Sequence, residues 1–371
     1  MKKFEIGIDL SFIRPDHKNG GTESYIRNLM SGFEEIGVSG NIVYFIRRDI
    51  YKEYKKDFPK SSFIVYQTRG RHKSGMLLFQ TLGIPRLASR YHLLTVFFPA
   101  YASGFLPYRN CRAVVNPHDL QHEYCLDNFS IIQRIYRRLI YGLSLLKCSC
   151  AIAISDYTEN TMHECYPRIL DGKVHRIYNP IRFSDTCEKV NGIDFPYILS
   201  VNALRRNKNL ITLLKAYKKI AGSVRQKLVL TGMNADDGKG LENYIKRNRL
   251  ENKVILAGFV SDAQLAWLYE NADLFVTTSL YEGFGMTPVE AMGHGCPVIS
   301  SKDTSLYEVT KGLAEYYEPS ADENALAEAM VSVLDGKVKI DRDRNRRIMR
   351  EAYDYRMIAE EYYKFLLEDT G

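Results

Sequence analysis

The stretch from Asn271 to Ser301, NADLFVTTSLYEGFGMTPVEAMGHGCPVISS, reads as one unit of strand, loop, helix and strand. Ala272 to Thr278 is a short apolar run rich in β-branched residues, the composition of a buried strand. Glycines then break the pattern. Thr287-Pro288-Val289-Glu290 has the form of a helix start: Thr287 suits the N-cap, Pro288 the first helical position, and Glu290 stands three residues after the cap. Gly295 and Pro297 stop that helix before a second small strand, Pro297 to Ser300.

A strand, a glycine-containing loop and a helix N-terminus together make an anion site. The first N–H groups of a helix have no internal partner, and its dipole is positive at that end. Gly283 and Gly285 allow a phosphate to approach the backbone. Glu282 and Glu290 flank the site, and carboxylates repel phosphate, so their chemistry fits the hydroxyls of a sugar or ribose. Glu290 has a second reading, in which it only completes a capping box.

Glu282-Gly-Phe-Gly-Met-Thr-Pro-Val-Glu290, two glutamates separated by seven residues, followed by Ala291-Met292 and Gly295-Cys296-Pro297-Val298-Ile299, resembles the signature of retaining glycosyltransferases of family 4. The resemblance implies an α/β chain of GT-B fold, with two Rossmann-like domains facing each other across a cleft and a last helix returning to the first domain. It also implies roles: Glu282 near the donor sugar, Glu290 on the ribose, and Gly283, Phe284, Gly285, Met286 and Thr287 near the diphosphate.

At 371 residues the chain is long for one core and comfortable for two domains. Hydrophobic residues at 45% and charged residues at 26% are ordinary for a soluble globular protein. No apolar run approaches the roughly 18 residues that a membrane span needs. The N-terminal MKKFEIGIDL reads as a first strand rather than a signal peptide. Seven cysteines, odd in number and without CxxC spacing, fit a reducing cytoplasm better than a disulfide framework. The formal charge of +7 suits an anionic ligand, an anionic membrane surface or nucleic acid.

Along the first half, strand-like runs at Phe4–Leu10, Asn41–Ile46, Ser62–Tyr66, Leu93–Phe98, Ala113–Val115, Cys150–Ile154 and Val174–Tyr178 alternate with helical stretches, as in a parallel α/β sheet. Gly20-Gly21 precedes a helix expected from Thr22 to about Glu35, and it matches the glycine loop after the first strand of the family. His118-Asp119, after the strand ending at Val115, resembles the family's His-Asp pair, whose histidine contacts the donor sugar. Zinc binding by His118 and His122 matches no common ligand spacing. Asn128–Lys147 reads as a helix whose Ile131, Ile132, Ile135, Leu139 and Leu143 face the core, with Arg134, Arg137 and Arg138 outward; a membrane-surface helix is the other reading.

From Asn179 to Phe195 the pattern goes quiet, which sets the expected division: residues 1–190 as an acceptor-binding domain, 191–350 as a donor-binding domain, and 351–371 as a helix packing back on the first. A second βα series follows, with strands at Tyr197–Val201, Lys227–Thr231 and Val254–Leu256. In Asn202 to Asn209, Lys208 aligns with the family's phosphate-binding lysine. The family's upstream arginine is absent at Asn202 and Ala203, and Arg205 or Arg206 stands in for it. Asp341 to Arg350 is a mixed charge run expected to be solvated. Its Asp341-Arg342-Asp343 imitates a DxD metal signature outside the strand-end context that such a motif needs.

These features converge on a retaining glycosyltransferase of GT-B fold. It is expected to move a sugar from a nucleoside-diphosphate-sugar, a UDP- or GDP-sugar, to a hydroxyl of a glycan or lipid-linked acceptor in surface polysaccharide biosynthesis. His118, Glu282 and Lys208 are the expected catalytic residues. The donor-binding set is Gly20, Gly21, Arg205, Arg206, Lys208, Gly283 to Thr287, and Glu290. No cofactor or metal is required, since Lys208 and the helix N-terminus carry the leaving charge. The expected location is cytoplasmic, at the inner membrane face, with weak peripheral membrane contact of the N-terminal domain through Arg69–Lys73 and the arginines of the 128–147 helix. The rival reading is a non-catalytic nucleotide-sugar or nucleic-acid binding protein, although the basic residues are dispersed rather than clustered with aromatics.

Overall fold

The computed structural model describes residues 4–16, 19–67, 72–100, 103–104, 106, 108, 110–125, 128–202, 205–232 and 238–368. The chain divides into two compact units, Met1–Ile181 with Tyr353–Gly371, and Arg182–Ala352.

Unit 1 carries β1 (Ile6–Asp9), β2 (Ile42–Arg47), β3 (Ser62–Tyr66), β4 (Thr95–Phe98), β5 (Arg112–Val115), β6 (Cys150–Ala153) and β7 (Val174–Arg176). They form one sheet in the order β3-β2-β1-β4-β5-β6-β7. Unit 2 carries β8 (Tyr197–Val201), β9 (Lys227–Thr231), β10 (Val254–Gly258), β11 (Leu274–Val276), β12 (Val298–Ser301) and β13 (Glu315–Tyr317), in the order β10-β9-β8-β11-β12-β13. Every strand pairing is parallel, β1 with β2 and β4, β8 with β9 and β11. The central strands are short and apolar without alternation because helices cover both faces, and β1, β4, β6, β11 and β12 are buried at every residue. In each sheet the order reverses beside the first strand, so the loops after β1 and β8 open at a topological switch point, where ligands bind in this class of sheet.

The last helix, Tyr355–Leu367, belongs to unit 1. Asp354 caps it, its carboxylate accepting from the amides of Arg356 and Met357. It lies on the first helix, Gly21–Glu35, where Tyr25 and Tyr362 meet edge to face at 6.0 Å and Asn41 donates to the Tyr363 hydroxyl at 2.6 Å. Thr95 in β4 also donates to the carbonyl of Leu366 at 2.7 Å.

Three expectations need correction here. The unit boundary falls at Ile181/Arg182 rather than after residue 190. Residues 183–188 pack on unit 2: Phe183 sits against Gly293 and His294, Asp185 pairs with Arg350, and Glu188 N–H donates to Ala263 O. A polar, aperiodic sequence does not reveal which side holds it. The 128–147 helix begins at Ile131 behind a Ser130–Gln133 capping box, and the apolar residues expected to face the core are exposed: Ile131, Ile132, Ile135, Leu139 and Leu143. Its buried face is Tyr141, Ser144 and Leu145. Periodicity identifies an amphipathic helix but not what covers its apolar face. The third correction is the 341–350 run, which forms the helix Arg342–Ala352 and is bound to its neighbours rather than merely solvated. Of the basic run Arg69–Lys73, Arg69 to Arg71 and the side chains of His72 and Lys73 lie outside the described residues.

Gly32 sets how closely the first and last helices approach. A Cβ there would lie 2.6 Å from the Tyr355 carbonyl oxygen and 2.5 Å from the Ala359 Cβ. Alanine gains up to about 1 kcal/mol of helix propensity over glycine, but overpacking against backbone costs about 1–3 kcal/mol. Gly32→Ala is therefore expected to lower stability by about 1–2 kcal/mol in urea unfolding, and a gain in stability would show that the helices do not meet at this residue.

Candidate active site

In unit 2 the site is built by loops at the carboxyl ends of β8, β11 and β12. After β8 the chain forms a single 3-10 turn, Arg206–Lys208, closed by Asn209 in the left-handed region at φ 49°. After β11 it runs through Thr277–Glu282 to the helix Met286–Gly293. The two loops hold each other: Leu280 N–H donates to Asn207 O at 2.8 Å and the Thr278 hydroxyl donates to Lys208 O at 2.9 Å. From the loop after β12, the Ser305 hydroxyl reaches Glu282 O at 3.1 Å and Phe284 O at 2.8 Å, and the Thr304 hydroxyl accepts from Glu282 N–H at 3.3 Å.

These ties bring Lys208 and Glu282 together as an ion pair, with side chains 19% and 13% exposed. Residues 74 apart in sequence thus place a cation and a carboxylate at one spot, beside the start of the Met286–Gly293 helix. Gly285 is the N-cap of that helix, at φ 93°, and no side chain caps it. The capping-box reading is overturned: Thr287 is the second helical residue, not the cap, and Glu290 lies deeper in the helix. Left-handed glycine makes the turn two residues earlier, and a Cβ there would meet Leu306 at 2.8 Å. The first amides, at Met286 and Thr287, have no acceptor within the helix, and Pro288 has no N–H to offer.

Glu290 is half-buried, and its Oε2 accepts from the Tyr269 hydroxyl at 3.0 Å. Burial pushes its carboxyl up to about 7; the Tyr269 hydrogen bond opposes this and Asp262 adds to it. The opposite end of the helix is held by arginines that the sequence reading missed. Arg342 donates to Gly295 O at 2.7 Å, Arg346 to His294 O at 2.8 Å and Arg350 to Gly293 O at 2.9 Å. Cations there satisfy the last carbonyls and complement the dipole. Their spacing of four was the available signal, since it puts three guanidinium groups on one helical face. Arg205 and Arg206 are both exposed, which favours neither as the substitute guanidinium, and Ala203 lies outside the described residues.

Five buried side-chain oxygens around these strand ends have no hydrogen-bond partner among the described residues: Asn202 Oδ1, Asn207 Oδ1, Thr277 Oγ1, Ser279 Oγ and Ser301 Oγ. Such groups are costly unless something polar meets them. Among the described residues no group of three or more His, Cys, Asp or Glu side chains could hold a metal ion.

Unit 1 carries the remaining candidates. Gly20 is the N-cap of the first helix at φ 58° and Gly21 its first residue, so glycine rather than Thr22 takes the cap. His118 is 6% exposed, has a left-handed backbone at φ 58°, and its amide donates to Asn116 Oδ1 at 2.9 Å. Nε2 lies 2.6 Å from Pro99 O, and the ring meets Tyr25 edge-on at 4.8 Å. Burial lowers its pKa to about 4, so the imidazole is neutral at pH 7 and Nε2 carries the proton it donates to Pro99. His122 is buried against Tyr141, with ring centroids 4.5 Å apart.

Two family models match, Glycosyltransferase Family 4 over residues 19–184 and Glycosyl transferases group 1 over residues 185–354. Their junction lies close to the boundary between the units. The chain belongs to the family 4 glycosyltransferases and has the GT-B fold. It is similar to the O-antigen chain mannosyltransferase RfbU of Salmonella typhimurium, 29% identical over 219 residues, covering 59% of this chain and 60% of the relative. It is also similar to O-antigen chain mannosyltransferase B of Escherichia coli, 28% identical over 242 residues, covering 62% and 64%. These matches span less than two thirds of either relative. Among solved structures, Anabaena HepE in complex with UDP and glucose superposes with a TM-score of 0.76 over 98% of this chain and 99% of that one, at 16% identity.

The Glu290 carboxyl predicts a pH signature. Its folded pKa of about 7 exceeds its ordinary 4.5. Ionising it therefore costs stability, a cost absent below pH 4.5, growing up to pH 7, and complete above it. At about 1.4 kcal/mol per unit the full cost is about 3–4 kcal/mol. Glu290→Gln keeps an acceptor for Tyr269 and is expected to exceed the wild type in urea midpoint at pH 8 but not at pH 4.5. An offset that does not change with pH counts against the buried carboxylate.

Proposed function

We propose that the protein transfers a sugar from a nucleoside-diphosphate-sugar to a hydroxyl of a glycan or lipid-linked acceptor, with retention at the anomeric carbon. The observation that carries this reading is the Lys208–Glu282 pair beside the Gly285-capped helix. It offers a cation and helix amides for a diphosphate and a carboxylate for sugar hydroxyls. The five unpartnered oxygens at the strand ends support a polar ligand there. In the proposed reaction the bond between the anomeric carbon and phosphate oxygen breaks, and its electron pair goes to the diphosphate. The acceptor oxygen bonds to the same face, and its proton passes to the leaving phosphate. Lys208 and the amides at Met286 and Thr287 stabilise the leaving charge in a site that needs no reorganisation. Glu282 orients the sugar and Glu290 holds the ribose. Neither metal nor cofactor enters this scheme. The mannosyltransferase names of the relatives make a mannosyl donor the first to test, at the cytoplasmic face of a membrane, in surface polysaccharide synthesis.

Thermal shift against UDP-, GDP-, ADP- and dTDP-sugars identifies the donor, and release of nucleoside diphosphate measures turnover. Lys208→Ala is expected to reduce turnover more than 100-fold, the scale of one lost transition-state charge partner. Arg205→Ala and Arg206→Ala, measured separately, show which guanidinium assists it. Near-wild-type turnover in Lys208→Ala overturns the phosphate assignment, whereas tight donor binding with neither transfer nor hydrolysis makes the chain a nucleotide-sugar binder.

A further inference from the structure

The Ile131–Lys147 helix is capped, ordered by its buried face and uncovered on the other. Seven large apolar side chains on it are exposed: Ile131, Ile132, Ile135, Tyr136, Leu139, Leu143 and Leu146, from 40% to 80%. Ile132, Tyr136, Leu139, Leu143 and Leu146 follow each other at steps of four and three, so they form one stripe along the helix. Tyr141, Ser144 and Leu145 hold the opposite side against unit 1. Scattered exposed leucines need no explanation, but a continuous apolar stripe about four turns long marks a surface that something else covers.

The charges select the occupant. The helix contains Arg134, Arg137, Arg138 and Lys147 and no acidic residue. Helical geometry sets Arg138 and Lys147 on the two flanks of the stripe. Arg134 and Arg137 lie nearer the protein, with Arg137 over the Phe129 ring at 4.5 Å. The acid that faces the helix is Glu123, which meets Arg138 at 3.5 Å and is mostly buried. An apolar stripe bordered by cations matches the boundary of an anionic bilayer, where hydrocarbon lies beneath negative headgroups. A second copy of this chain would bring the same cations against themselves. At 17 residues, and with no described helix long and apolar enough to cross a membrane, this one would lie in the plane of the surface.

We propose that the Ile131–Lys147 helix docks unit 1 on an anionic membrane, with its apolar stripe inserted and its cations at the headgroups. This goes beyond a salt-sensitive electrostatic contact, because insertion of the stripe retains part of the binding when salt screens the cations. It does not depend on the sugar-transfer reading: vesicle binding is measured without donor or acceptor.

Co-sedimentation of the whole protein with phosphatidylglycerol–phosphatidylcholine vesicles tests it. Binding is expected at low salt, reduced but present at high salt, and weaker on phosphatidylcholine alone. Ile132→Glu with Leu139→Glu is expected to lower the partition coefficient more than tenfold, and Arg138→Gln with Lys147→Gln several-fold. All four side chains are outward, and circular dichroism checks that the fold is kept; Ile132→Ser with Leu139→Ser is a milder pair with the same expected direction. Absence of binding to anionic vesicles at low salt overturns the proposal, as does wild-type binding by both apolar variants. Sedimentation velocity supplies the other decisive outcome: a dimer that Ile132→Glu with Leu139→Glu dissolves, without vesicle binding, assigns the stripe to a second copy.

Discussion

Three loops at the carboxyl ends of β8, β11 and β12 depend on one another for their hydrogen bonds, and the candidate site depends on that arrangement. Apart from the single 3-10 turn at Arg206–Lys208, these loops meet their backbone polar groups across the sheet end rather than within themselves. Asn207 O and Lys208 O are met by the loop after β11, and Glu282 O and Phe284 O by Ser305 after β12. Lys208 and Glu282 are consequently held at one place before any ligand binds. Such preorganisation is what electrostatic stabilisation of a leaving group requires, because dipoles already in position cost nothing to align.

The helix that starts at Met286 is fixed at both ends by different means. At its N-terminus a left-handed glycine makes the turn, so the first amides are not consumed by a capping side chain. At its C-terminus Arg342, Arg346 and Arg350 take the carbonyls of residues 295, 294 and 293. Cations at the negative end and open amides at the positive end leave the dipole directed toward an anion. Arg350 also pairs with Asp185, which joins the segment after the unit boundary to the same helix end.

Unit 1 shows a different balance. Its first and last helices approach at a glycine, and a buried carboxyl, Asp9 at the end of β1, is held by Ser11 and by Gln80 at 2.7 Å. Burial raises the Asp9 pKa, with those hydrogen bonds opposing the shift. Beside this closely satisfied interior, the Ile131–Lys147 helix leaves an apolar stripe exposed, at a cost in water.

Much of the architecture was legible in the sequence because it rests on local patterns. Unalternating apolar runs between helical stretches marked two parallel sheets, and the nine residues from Glu282 to Glu290 carried the family. Glu282, Lys208 and the glycines around Phe284 could be named from spacing and resemblance alone. Tertiary structure decided what no local pattern encodes. It set Gly285 as the cap in place of Thr287, at a left-handed turn where a Cβ would meet Leu306. It turned a charge run into a helix whose arginines bind carbonyls about fifty residues away. It also left the 131–147 apolar face outward, since periodicity tells which residues share a face, while burial depends on which other elements arrive to cover it.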